Sequence, residues 1–318
     1  MKRPLQFIVL VCAVSWAAVG AAILLGLRGP ATLGMVPGLA FQAFAAAYML
    51  LPAVCAVILQ FIHMEKPFRG LNVSFKLNWW FLVAGVVPFI YSFMALGINL
   101  LFPNVSFSIT YEGFLSRLTA DMPAESVELV KQQLSIFPPV VFLLIQVASA
   151  LIAGYTINAV FGLGEELGWR GYLLKALQGK KFLPVSLIIG AVWGLWHFPL
   201  ILLGHNYPQH PLAGVGMMVI FCILLTPMMI YIVIKSKSVI TAAIFHGTNN
   251  AIAGIAVLYL VGGNDITNGV TGIAGFIALL LVNIAFFLYD KYITGENIFT
   301  HPAPNGASPN QRLMQSES

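Results

Sequence analysis

Few side chains in this chain of 318 residues can do acid–base chemistry, because only 8% are charged. Those that can are spaced in a pattern. Glu165 and Glu166 stand side by side, with Arg170 four residues after the second. His197 follows Trp193 by four, and Asn250 follows His246 by four. Residues four apart share one face of a helix. Glu166 and Arg170 therefore neutralise each other, while Glu165, rotated by about 100°, faces elsewhere. One carboxylate is thus structural and the other is left for chemistry. Glu165 with two imidazoles makes a general base with polarising partners. The same three groups also suit a zinc ion with an open water position.

The segments that carry these residues are apolar. The chain is 59% hydrophobic with a mean hydropathy of +0.89, which places it among membrane proteins. Eight stretches are long enough to cross a bilayer as helices: approximately 5–27, 38–62, 79–102, 139–163, 184–203, 212–234, 239–262 and 269–289. The fold class expected is all-α, a polytopic membrane helix bundle of about eight transmembrane helices. The apolar start after Lys2 and Arg3 is too long for a signal peptide and reads as a retained first span. With the N-terminus inside, 13 of the 16 Lys and Arg fall on the cytoplasmic side and only Arg28, Arg117 and Lys131 on the other. Both termini are therefore expected in the cytoplasm. The basic residues lie in short loops between spans, which argues against a nucleic-acid partner. Cys12, Cys55 and Cys222 sit inside apolar stretches and form no disulfide framework or zinc-type pair.

The organisation expected is 1–138 for three spans and an external loop, 139–262 for the four spans bearing the polar residues, 263–294 for the last span, and 295–318 for a disordered cytoplasmic tail. In the external connection 103–138, residues 126–134 have the period of a short amphipathic helix. It could lie on the membrane, cap the opening or belong to a partly ordered loop. Asn158 and Asn283 read as interhelical glue. Gly164 with Gly168 and Gly190 with Gly194 form GxxxG pairs that permit close helix approach. Depth is less consistent. Glu165 lies near the cytoplasmic end of its span and His246 in the cytoplasmic half, whereas His197 comes out near or past the midplane unless its span starts later or tilts.

The set Glu165-Glu166-x-x-x-Arg170, Trp193-x-x-x-His197 and His246-x-x-x-Asn250 resembles the CAAX-protease and bacteriocin-processing family, the Abi or CPBP intramembrane proteases. That family carries EExxxR, FxxxH and HxxxN or HxxxD in this order. The likeness covers about 155–255. The text GEELGWRGYLL is similar to bacterial members, which implies a multi-pass protein of a bacterial plasma membrane. Trp193 stands where the pattern has Phe, a change expected only to reshape packing around His197. The resemblance implies hydrolysis of a peptide bond in a membrane-associated protein or peptide, at a site reached from the cytoplasm. Glu165 would activate water and His197 would hold and polarise it. His246 and Asn250 would stabilise the oxyanion or complete a metal site with Glu165 and His197. Glu166 and Arg170 would be structural support. Amide hydrolysis needs such a base and such donors. No HExxH for a zincin and no second intramembrane Asp for an aspartyl pair exist. Two other classes fit the polar core. One is a non-proteolytic immunity or binding protein, which the family includes. The other is a proton-coupled transporter, although no inverted repeat is visible.

Overall fold

The computed structural model describes residues 2–30, 38–113, 115 and 124–300. Arg117, Asp121 and the tail beyond residue 300 lie outside the described residues. The described chain is a helix bundle. Its sheet is two residues deep, Ser106–Phe107 (β1) paired antiparallel with Leu260–Val261 (β2).

All eight apolar stretches are helical, but not all are long. Helices α1 (Arg3–Leu24), α2 with α3 (Leu39–Tyr48 and Leu51–Ile62) and α4 (Trp79–Asn99) have the length and apolarity to cross a membrane. In the connection that follows α4, α5 (Ala124–Leu134) forms where the amphipathic period indicated. Next come α6 (Pro139–Tyr155) and α7 (Ile157–Glu166), which continues through a π-helical turn, Leu167–Leu173, to Ala176. The pair is bent by 45° and can count as one span. Helix α8 (Phe182–Trp196) has 15 residues, about 22 Å of rise against a hydrocarbon core of about 30 Å. It breaks at His197 before α9 (Phe198–Leu202). Helices α10 (Pro211–Ser236) and α13 (Ile273–Leu288, extended to Thr294 by a π turn) are again long enough. Helix α11 (Val239–Ile252) has only 14 residues and is followed by the short α12 (Ile255–Tyr259). By length and composition, five helices or six with the bent pair qualify as spans among the described residues. The difference from eight comes chiefly from α8 and α11, the two helices that carry the histidines.

Local chemistry fixes several of these ends. The Asn78 side chain accepts from Trp80 N–H and caps α4; Ser238 does the same for Ile240 N–H and α11. Lys237, in the left-handed region at φ 57°, ends α10. Glycine sets the close approaches. A Cβ on Gly190 or Gly194 would fall 2.7 Å and 2.5 Å from the backbones of Ile223 and Val219 on α10. Asn158 donates to Gly247 O and Asn283 to Leu224 O, each tying two helices as the sequence suggested.

At the end of the bundle holding Ala176, Glu65 joins three segments. It accepts from Arg3 at 2.7 Å and from Lys175 at 2.9 Å. The hydrogen bond from Lys175, aided by the Lys175 and Arg3 charges, holds its carboxyl below the usual range although partial burial opposes this. A depressed folded pKa stabilises above the unfolded value of about 4.3, and that contribution is lost as pH falls through the folded value. Glu65→Gln is therefore expected to cost on the order of 1 kcal/mol at neutral pH, with the difference from wild type shrinking as pH falls below the unfolded value and through the folded one. Thermal unfolding of both proteins across that range in one detergent checks it.

Candidate functional site

The fourth apolar stretch does not end at residue 163. Its helix runs to Ala176, and every residue from Gly164 to Leu174 is buried. Glu165 and Glu166 are therefore enclosed within the bundle, with the helix continuing beyond them. The π turn begins directly after Glu166 and carries Arg170; such turns occur often where a helix must re-aim side chains.

Glu166 and Arg170 are each 0% exposed and paired, Arg170 Nη1 to Glu166 Oε1 at 3.1 Å. Arg170 Nη2 also donates to Thr226 Oγ1 at 2.9 Å. Glu166 has a further partner that spacing did not reveal. His246 Nδ1 lies 2.9 Å from the same Oε1. A carboxylate only accepts, so Nδ1 carries a proton, and Nε2 faces the other way. There it meets Glu165 Oε1 at 3.9 Å.

The other oxygen of Glu165, Oε2, accepts from Trp193 Nε1 at 2.7 Å. The aromatic change in the motif is thus not confined to packing, because phenylalanine has no such donor. His197, at the break between α8 and α9, has Nδ1 2.8 Å from Trp193 O. A carbonyl only accepts, so this nitrogen is also the protonated one. On α11, Tyr91 donates to Asn249 Oδ1 at 2.7 Å, and Asn249 Nδ2 donates to Asn250 Oδ1 at 3.2 Å. With its oxygen engaged, Asn250 has its NH2 to offer as a donor.

Glu165, His197, His246 and Asn250 all line one chamber of about 430 Å³; Glu166 and Arg170 do not. The wall also draws on α2, through Phe41, Gln42 and Tyr48, and on the loop residues His205 and Asn206. These were invisible in the motifs, since a lone aromatic or amide in an apolar stretch has no distinctive spacing. Asn249 stands out in the sequence with His246 and Asn250 as a polar residue of the seventh apolar stretch, though no motif assigns it a role. Tyr91 gave no signal at all.

The donors do not fit a zinc site as they stand. Among the described residues, no group of three or more His, Cys, Asp or Glu side chains is placed to hold a metal ion. Glu165 Oε1 and His246 Nε2 could contribute two ligands, and a catalytic zinc takes three from protein.

Residues 138–252 match a family model described as type II CAAX prenyl endopeptidase, Rce1-like. Over 172 residues the chain is 33% identical to CAAX prenyl protease 2 of Methanococcus maripaludis, a match covering 51% of this chain and 54% of that protein. The match thus spans about half the length of that relative. The matched residues contain all three motifs, and the helices around them are those of a multi-pass membrane protein. Through this segment the chain is similar to the CAAX proteases, in the residues that carry its three motifs.

Proposed function

We propose that this chain is an intramembrane endopeptidase that hydrolyses a peptide bond of a membrane-associated protein or peptide with a water activated by Glu165. The observation that carries the reading is the opposition of Glu165 Oε1 and His246 Nε2, 3.9 Å apart on one chamber wall and each anchored from behind. In this reading Glu165 Oε1 removes a proton from water, and the hydroxide adds to the scissile carbonyl carbon. In this step His246 is the imidazolium, with Nδ1–H donated to Glu166 and Nε2–H to the oxyanion, which also accepts from the Asn250 amide. Glu165 then delivers its proton to the leaving nitrogen as the C–N bond breaks. His197, with Nδ1 held by Trp193 O, presents Nε2 as acceptor to the water. The anchored partners matter because donors already in place need no reorganisation as charge develops.

The substrate class proposed is the one suggested by the printed descriptions of the similar proteins, CAAX prenyl endopeptidase and CAAX prenyl protease 2. The test is therefore made with the full chain in liposomes and a quenched-fluorescent peptide ending in a prenylated Cys-aliphatic-aliphatic-X sequence. Cleavage by wild type is expected. If neither this probe nor its unlipidated form is cut, the chamber is a binding site and the protein falls in the non-proteolytic class. Elemental analysis of the active protein is expected to find substoichiometric zinc. One zinc per chain, required for activity, would make Glu165 and His246 ligands instead.

A further inference from the structure

We propose that Trp193 is a positioning residue for Glu165, acting through the single hydrogen bond its indole makes; the proposal rests on the proteolytic reading above. Indole has one donor and no acceptor. Trp193 directs that donor to Glu165 Oε2 at 2.7 Å, the length of a charge-assisted bond. A glutamate has three side-chain torsions, so a buried carboxylate with one oxygen unheld can turn. Pinning Oε2 fixes the plane of the group and leaves Oε1 towards His246 Nε2 and the chamber.

The indole is itself held. It is 3% exposed. The Arg170 guanidinium sits 4.2 Å from its ring centroid, a cation–π contact. The His246 ring stands against it at 5.4 Å and 63°, and the His197 ring lies at 5.8 Å. Its own carbonyl accepts from His197 Nδ1. One residue thus links the buried ion pair, both histidines and the carboxylate. The ring contacts would survive replacement by phenylalanine in part, since they use the face and edge of an aromatic. The bond to Oε2 would not. Relative to the FxxxH pattern, the tryptophan adds a donor where the carboxylate is most deeply enclosed.

A packing role and a positioning role differ over the N–H alone. The test therefore replaces Nε1–H by sulfur at nearly constant shape, Trp193→3-benzothienylalanine, introduced by stop-codon suppression, alongside Trp193→Phe. The prenylated quenched-fluorescent peptide is the probe and the protein is in liposomes. Both variants are expected to lose about 10- to 100-fold in kcat, with KM changed by less than about threefold. The benzothienyl variant is expected to keep the wild-type melting temperature. If its kcat lies within about twofold of wild type, the N–H does no positioning and the proposal is overturned. Should Trp193→Phe fail to fold, the benzothienyl variant still decides. Wild-type protein that leaves the probe uncut overturns the proteolytic reading first, an outcome distinct from active wild type with an equally active benzothienyl variant.

Discussion

Glu165→Gln lowers kcat by on the order of 10³-fold and leaves KM and the melting temperature near wild type: this is the largest kinetic effect expected of any single substitution here. Glutamine has almost the same shape, and its amide oxygen still accepts from Trp193 Nε1, so the contact at 2.7 Å survives. Neutralising a buried carboxylate at 2% exposure also removes a desolvation penalty, so the fold has no reason to weaken. What is lost is the group that takes the proton of water. His246 cannot replace it, because its Nδ1 is committed to Glu166 and its Nε2 is the donor side in the reading above. Initial rates on the prenylated probe in liposomes, with melting curves on the same preparations, make the check. A folded Glu165→Gln protein that retains more than about a tenth of the wild-type rate would remove Glu165 from the role.

The helical class and the separation of the two glutamates were readable because they depend on spacing along one helix. Four residues bring Glu166 to Arg170 whatever else the fold does, and a rotation of about 100° sends Glu165 elsewhere. Three features were not readable, each for a stated reason. Hydropathy ended the fourth span at residue 163 because the charged pair interrupts the apolar run. Mutual neutralisation and burial instead carry the helix on to Ala176. The breaks at His197 and after Ile252 lie within apolar text, so a window average reads α8 and α11 as full spans. The contact of His246 with Glu166 joins α11 to the end of α7, 80 residues apart in sequence, and nothing in either motif specifies it. Tyr91, which fixes the Asn249–Asn250 amides from α4, is one tyrosine in an apolar helix and differs by no pattern from its neighbours. Local spacing thus named the residues on the chamber. Long-range contacts decide which atom of each faces in.

Arg170→Met is expected to have the largest effect on stability, a loss of roughly 3–5 kcal/mol, without replacing a chamber-lining side chain. Arg170 and Glu166 are both 0% exposed. Removing the guanidinium takes away the closest fixed charge partner of Glu166, deprives Thr226 of its donor and strips the cover from the Trp193 ring. Replacing both members by apolar residues of similar volume removes the stranded charge, so Glu166→Met combined with Arg170→Met is expected to regain most of the loss. The recovery is incomplete because His246 Nδ1–H then lacks its acceptor, a buried donor left unmade at about 1–3 kcal/mol. Activity should not follow stability. In the double variant His246 loses the bond that orients its ring and aims Nε2, so kcat stays low while the unfolding midpoint returns. Glu166→Gln gives the complementary case, since its amide oxygen still accepts from His246 but leaves Arg170 unpaired: it should be less stable than the double variant and more active. Chemical denaturation in one detergent, with probe kinetics on the same samples, separates these outcomes. Stability and activity that fall and recover together across the three variants would mean that the pair supports only the helix, and that Glu166 does not orient His246.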